Sequence, residues 1–271
     1  MFRRLTTLLI SILLLVGFAT PAFAEKPDDS GVSNIPEVSG DYPDPDHPGL
    51  RVRVYVHPES GQINHPAKPS PTSSPALVCT ENPNSEAFVS GGLHLPATNW
   101  TYKLNTSSVP ATVGGSNLPA IATNGFSQWT NAISSSTSKP NLVYGGSTTI
   151  NRATYDGQNI IAWGRTSGTV LGVTTLWYYP DTGLIAETDV IMNNNKKLVK
   201  WAWSQGSMCA DDKSYDAQNI LTHELGHVFG LDDEYESPFV DNTMFGYGSK
   251  GETKKNIITN GDSLGIQAIY P

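Results

Sequence analysis

The sequence predicts an α+β fold, with a single domain in residues 96–271. Two observations favour this class. Four strand-like runs follow one another between residues 141 and 193, separated by Gly, Asp and Pro turns. Segments with apolar residues at helical spacing lie on both sides of these runs. About 175 residues of mixed helix and strand are enough to enclose one hydrophobic core.

The domain opens with a strand and a helix. The segment WTYKLNT, residues 100–106, predicts the strand. In SNLPAIATNGFSQWTNAI, residues 116–133, a proline stands near the start, as is common in a first helical turn. Apolar side chains then recur on one helical face, at Leu118, Ala122, Phe126, Trp129 and Ile133.

The four strand-like runs form the middle of the domain, and two helices follow them. The runs are NLVYGG at 141–146, NIIAWG at 159–164, VLGVTTLWYYP at 170–180 and LIAETDVIMN at 184–193. The segment YDAQNILTHELGHVFG predicts a helix that begins at an Asp216 N-cap and ends at Gly230. A third helix, GDSLGIQAIY, is predicted at 261–270.

The chain begins with the features of a secretory signal peptide. Two arginines at positions 3 and 4 precede an apolar run at 8–18, and AFA at 22–24 has the small-residue pattern of a cleavage site. The run is shorter than the roughly 20 apolar residues that span a bilayer. We therefore predict that residues 1–24 are removed, and that the protein is secreted and extracellular, with no membrane anchor after cleavage.

Residues 25–95 are predicted to be a proline-rich pro-segment or linker. Ten of the 19 prolines of the chain fall between residues 25 and 75, and each removes a backbone donor. The exception is LRVRVYVHP, where apolar and polar residues alternate from Leu50 to Tyr55 and Val56 continues the apolar face. A lone strand is not stable, so it either docks on the following domain or forms only transiently.

Charge and cysteine content limit the partners. The formal net charge is −8, and it becomes −10 once the two arginines of residues 1–24 are removed. This balance argues against nucleic acid, which binds clustered Lys and Arg. We predict a monomer that acts on protein or peptide substrates. Cys79 and Cys209 are the two cysteines, and outside the cell they can form one disulfide or remain unrelated thiols.

The segment HELGHVFGLDD, residues 223–233, carries the candidate chemistry. His223 and His227 are four residues apart, so both lie on one helical face and can bind one metal ion. Glu224 can reach a water on that ion from the flank and act as a general base. Gly230 lets the chain turn back towards the metal. The alternative reading of the two histidines is a buried pair without a metal.

Asp233 is the predicted third metal ligand. The chain has six histidines and none follows His227, so no downstream histidine can complete the site. Zinc accepts carboxylate oxygen, and Asp233 lies six residues after His227, where the glycine turn delivers it. Asp232 and Glu234 are the alternatives. One catalytic zinc ion is the predicted cofactor, and the sequence gives no support for calcium.

These residues resemble the metzincin metallopeptidases, whose motif is H-E-x-x-H-x-x-G-x-x-H, with Asp in the last place in secreted bacterial members of the snapalysin type. The segment NTMFGYG, residues 242–248, is similar to the Met-turn of that group. GDSLGIQAIYP and WTYKLN resemble the C-terminal helix and the first strand of matrixins. The resemblance implies a twisted mixed sheet with three helices, and it implies that Met244 lies beneath the metal. The segment around Cys79 lacks the residues of the matrixin cysteine switch.

The function implied by this resemblance is that of a secreted zinc endopeptidase with Glu224 as its general base. In this family the substrate lies extended along an edge strand, and VLGVTTLWYY is the candidate strand. Two alternatives remain open. One is a zinc hydrolase of cell-wall amide bonds. The other is a non-catalytic adhesion or matrix protein with a structural metal site, which would need a fourth protein ligand.

Overall fold

The computed structural model describes residues 36–60, 91–204 and 213–271. Its largest element is a mixed sheet of seven strands. The order of the strands across the sheet is β1-β2-β6-β7-β5-β3-β4. The strands are β1 (Gly40–Pro43), β2 (Arg51–Pro58), β3 (Asn99–Leu104), β4 (Asn141–Ser147), β5 (Asn159–Gly164), β6 (Val170–Tyr179) and β7 (Leu184–Asn193). Strand β6 is antiparallel to β2 and β7, whereas β5 is parallel to β7 and to β3.

Three α-helices complete the architecture, together with a two-stranded sheet of β8 (Trp201–Ala202) and β9 (Tyr215–Asp216). The helices are α1 (Leu118–Ala132), α2 (Ala217–Val228) and α3 (Asn260–Ile269). Helices α1 and α2 pack against each other, and the indole of Trp129 on α1 donates to the Thr222 carbonyl on α2 at 2.9 Å. The predicted α+β class, with a mixed sheet and three helices, is therefore confirmed.

The predicted ends of the histidine-bearing helix are confirmed. Asp216 is the N-cap of α2, and its carboxylate accepts the Asn219 backbone N–H at 2.8 Å. Gly230 follows the helix with a φ of +96°, a conformation that favours glycine. A Cβ at this position would lie 2.0 Å from the Leu93 carbonyl oxygen. Both the backbone angle and the lack of space therefore require glycine at this turn.

The strand predicted near residues 50–58 docks on the domain. Strand β2 pairs with β6 from Arg51 opposite Tyr178 to Pro58 opposite Val170. The apolar face of β2, at Val52, Val54 and Val56, packs with Val173 and Trp177. The prediction that VLGVTTLWYY is an edge strand is wrong, because β2 covers β6 along its length. The apolar alternation detected the strand but not its partner.

Several predictions lie outside the described residues. They are the signal peptide at 1–24, most of the segment 25–95, and the pairing of Cys79 with Cys209. The described residues all fall within one compact unit, Ser33–Pro271. Among their helices, none has the length and apolar character that crossing a membrane requires.

Candidate metal centre

Helix α2 places two histidines side by side in the protein interior. His223 and His227 are both fully buried. The Nδ1 of His223 lies 2.7 Å from the Thr243 carbonyl oxygen, and that of His227 lies 2.8 Å from the Leu231 carbonyl oxygen. A carbonyl only accepts, so each Nδ1 carries the hydrogen and donates it. In the neutral rings, both Nε2 lone pairs are then free to face a metal ion.

Asp233 meets the two histidines after the turn at Gly230. Its Oδ1 lies 3.2 Å from His223 Nε2 and 3.4 Å from His227 Nε2, and the two Nε2 atoms are 3.1 Å apart. The other carboxylate oxygen, Oδ2, accepts the hydroxyl of Tyr235 at 2.9 Å. The three sequence-predicted ligands therefore converge on one small volume, with Asp233 oriented by a tyrosine that the sequence reasoning did not select.

The donor set fits a zinc ion. With Nδ1 donating to carbonyls, the two Nε2 atoms and Asp233 Oδ1 are three acceptors that face one another. Among the described residues, no side chain supplies a hydrogen bond to Asp233 Oδ1. A tetrahedral ion with bonds of 2.0–2.1 Å sets its ligands about 3.3 Å apart, close to the observed separations. Two imidazoles and one carboxylate suit zinc better than calcium, which prefers six or more oxygen ligands.

Glu224 lies beside this triad with one oxygen anchored. Its Oε2 accepts the hydroxyl of Thr174 on β6 at 2.6 Å, while Oε1 has no hydrogen-bond partner among the described residues. Burial raises the pKa of Glu224 to about 7. Gly172 on β6 gives the carboxylate its space, because a Cβ there would lie 2.4 Å from Oε1. The geometry holds Glu224 as an acceptor beside the triad, as a general base requires.

The alternative ligands Asp232 and Glu234 do not join the triad. Asp232 Oδ1 accepts from Arg53 Nη2 at 2.9 Å and from the Tyr55 hydroxyl at 2.7 Å. The backbone of Glu234 pairs with the segment that carries Met244, because its N–H donates to the Met244 carbonyl at 2.8 Å. Neither residue belongs to the metal-binding groups that the described side chains form.

Met244 lies against the histidine-bearing helix. Its side chain is fully buried, and a Cβ on Gly226 would lie 2.2 Å from its Sδ. The N-terminal turn of α3 holds the backbone here, because Asp262 accepts from the Thr243 N–H at 2.8 Å and from the Met244 N–H at 3.1 Å. Asp262 also completes a capping box with Thr259. The start of α3 therefore fixes the loop that packs under α2.

Strand β2 brings two residues to the site that the sequence reasoning missed. The His57 ring lies edge-on to His223 with centroids 3.9 Å apart, and its Nδ1 is 3.7 Å from Glu224 Oε1. The Tyr55 ring stacks on His227 at 4.0 Å. Burial, with His223 and Lys255 nearby, holds the pKa of His57 well below its usual range. The strand alternation put these side chains on one face, but it did not show that this face meets α2.

Lys255 is a second residue that the sequence did not indicate. It is fully buried, and its Nζ donates to the carbonyls of Phe245 and, at 3.0 Å, of Tyr247. The Nζ also lies 3.5 Å from His57 Nε2. Burial lowers the pKa of Lys255 to about 8. This lysine therefore ties the segment after Met244 to the strand that covers the site.

Comparison of the chain with protein-family profiles found no matching family, and comparison with curated proteins found no matching relative.

Proposed function

We propose that this chain is a secreted, metzincin-like zinc endopeptidase, with His223, His227 and Asp233 as its zinc ligands. The observation that supports this most directly is the convergence of three acceptor atoms, 3.1 to 3.4 Å apart, in a buried volume. Such a group favours a positive charge at its centre, either a proton on His227, whose pKa the Asp233 carboxylate raises, or a metal cation. When bound, zinc supplies a Lewis acid and a water whose pKa lies near 7.

Glu224 acts as the general base and then as the general acid. Its Oε1 accepts a proton from the attacking water and later donates it to the amine nitrogen that leaves. Thr174 holds Oε2 at 2.6 Å, which keeps the carboxylate in one orientation. The carbonyls of Thr243 and Leu231 orient the two imidazoles through Nδ1. Together these contacts preorganise the ligands and the base before a substrate arrives.

A structural metal site is the second candidate, and His57 is the observation that favours it. A closed site needs a fourth protein ligand, and His57 lies against His223. However, His57 forms a ligand group with His223 and Glu224, whereas His223, His227 and Asp233 form another. The ligand atoms of His57 therefore do not lie within 4.8 Å of those of all three triad residues. This arrangement favours a catalytic site with three protein ligands, covered by β2, over a structural site with four protein ligands.

Zinc content measured together with hydrolysis tests the proposal. Purified protein should bind one zinc ion, and its cleavage of denatured casein should stop when a chelator removes that zinc. Glu224→Gln should retain the zinc and lose cleavage by at least about 100-fold, the scale of general acid–base catalysis. Glu187→Gln is the matched control, since it alters another buried glutamate, on β7. Cleavage that survives Glu224→Gln, or protein that takes up no zinc, would contradict the proposal.

A further inference from the structure

We infer that two basic loops at one end of the sheet bind the surface of an anionic lipid bilayer, an inference that is independent of the proposed zinc chemistry. The loops are residues 165–169, between β5 and β6, and residues 194–200, after β7. Strands β5 and β7 are parallel, and Gly164 stands opposite Asn193 where both strands end. The two loops therefore leave the sheet side by side, at the same end.

Hydrogen bonds fix the two loops relative to each other. The Asn194 N–H donates to the Gly164 carbonyl at 2.8 Å. The side-chain amide of Asn193 donates to the Gly168 carbonyl at 3.2 Å, in the first loop. Its Oδ1 accepts the Asn195 N–H at 2.7 Å, in the second loop. Asn193 is fully buried, so both loops are tied to the body of the domain through one side chain.

The second loop has a turn of its own. The carbonyl of Asn195 accepts the N–H groups of Leu198 at 3.0 Å and Val199 at 2.9 Å. The side chain of Asn195 accepts the Lys197 N–H at 3.1 Å. These bonds hold the loop in one conformation before a partner arrives, which lowers the entropy that binding must overcome.

Four cationic side chains form what we call the basic face. They are exposed, and they are Arg165, Lys196, Lys197 and Lys200. Among the described residues, none of the four forms an ion pair. They belong to the stretches 157–180 and 190–210, which contain no Asp or Glu, in a chain whose formal net charge is −8. The basic face is therefore a local reversal of the charge of the protein.

Glu37 brings one carboxylate to these loops, because its Oε2 accepts the Ser167 hydroxyl. The four cations and this carboxylate together carry 4 − 1 = +3. Anionic lipid headgroups attract clustered Lys and Arg at such a surface. The charge of the basic face thus complements a bilayer that contains anionic lipid.

Leu198 favours a lipid surface over a soluble polyanion as the partner. Its side chain is 46 % exposed beside Lys197, whereas the next residue, Val199, is buried in the main core cluster. Val199 thus anchors the loop from inside, while Leu198 stands out among the lysines. At a bilayer, an apolar side chain can enter the boundary between headgroups and acyl chains while the ammonium groups contact headgroup phosphates. A polyanion in solution would leave Leu198 in water.

Vesicle sedimentation tests this inference with purified protein that lacks the predicted signal peptide, whose apolar run would bind lipid by itself. The protein should sediment with vesicles that contain about one-third phosphatidylglycerol, and it should stay in solution with vesicles of phosphatidylcholine alone. Raising NaCl from about 0.1 to 0.5 M should lower the partition coefficient at least about tenfold, because salt screens the attraction. A chelator that removes zinc should not change it, so the result does not depend on the peptidase.

Two lysines provide a matched pair. Lys197→Gln should lower the partition coefficient by about fivefold, equivalent to ~1 kcal/mol for one basic residue at an anionic surface. Lys139→Gln removes the same charge just before β4, at the opposite end of the parallel strands, and should change the coefficient by less than about twofold. Replacing Lys196, Lys197 and Lys200 together by Gln should lower it about 100-fold. Glu37→Gln should raise it.

Leu198→Ser separates a lipid surface from a polyanion. It should weaken sedimentation with phosphatidylglycerol vesicles by about threefold or more, and it should leave binding to inorganic polyphosphate unchanged. If Leu198→Ser binds these vesicles as well as the wild type does, the loops recognise charge alone and the lipid inference is wrong. Equal sedimentation with the two kinds of vesicle, or equal effects of Lys197→Gln and Lys139→Gln, would also overturn it.

Discussion

Gly226 of α2 lies directly against Met244, so that a Cβ on the glycine would meet the methionine Sδ at 2.2 Å. The same Cβ would lie 2.8 Å from Trp129 on α1. Gly226 stands one residue before His227, on the helix that positions both histidines. The close contact between helix and loop therefore depends on the absence of a side chain at residue 226.

Gly226→Ala should lower the free energy of unfolding. Glycine to alanine in a helix interior normally stabilises by ~0.5–1 kcal/mol. Here the overlap with Met244 outweighs that gain, because overpacking a buried site costs about 1–3 kcal/mol. Denaturant unfolding of zinc-free protein measures the difference. In the Met244→Ala background the same change should cost less, and an equal cost in both backgrounds would show that Met244 is not the obstacle.

Asp233→Ala should abolish stoichiometric zinc binding, whereas Asp232→Ala should preserve it. Asp233 Oδ1 is 3.2 and 3.4 Å from the two histidine Nε2 atoms, but Asp232 accepts from Arg53 and Tyr55. Loss of a metal ligand weakens binding far more than loss of a nearby anchor. Metal analysis after dialysis against zinc measures both. Full zinc content in Asp233→Ala would show that another residue is the third ligand.

The elements of the fold could be predicted because their signals are local. The N-cap Asp216, the turn at Gly230 and the four central strands all follow from short-range patterns, and the structure contains each of them. The pairing partner of a strand is not a local property. The alternation in residues 50–56 therefore predicted β2, but it did not indicate that β2 would pair with β6.

The candidate site shows the same division. His223, Glu224, His227 and Asp233 lie within eleven consecutive residues, and their spacing along one helix and one turn predicted that they meet. His57 reaches the site from 166 positions before His223, and the argument that no histidine follows His227 did not consider it. Lys255 is an ordinary lysine in the sequence, and only tertiary packing makes it buried.

Lys255→Met should destabilise the protein by ~2–4 kcal/mol. The variant keeps most of the buried aliphatic volume but removes the donor to the Phe245 and Tyr247 carbonyls. Each buried acceptor left without a partner costs about 1–3 kcal/mol, and relief of the buried charge offsets part of this. Lys250→Met is the control, since Lys250 is 43 % exposed at its side chain. A loss of stability no larger than in this control would show that the carbonyls find other partners.

Glu187 on β7 should make the stability of the protein depend on pH. Its carboxylate accepts the N–H groups of Asp156 at 2.9 Å and Gly157 at 2.6 Å. Burial nevertheless raises the pKa of Glu187 to about 7, from an ordinary value of 4.5. Between these two values the folded protein binds more protons at this residue than the unfolded chain does. The contribution of Glu187 to the free energy of unfolding therefore falls as the pH rises from about 4.5 to 7.

Glu187→Gln isolates this contribution, because the amide does not titrate and its oxygen can still accept one of the two N–H groups. The wild type minus Glu187→Gln difference in unfolding free energy should decrease by on the order of 2 kcal/mol between pH 5 and pH 8. Denaturant unfolding in the presence of a chelator keeps zinc uptake, which is itself pH-dependent, out of the measurement. Parallel pH profiles for the two proteins would mean that Glu187 has the same proton affinity in the folded and unfolded chains.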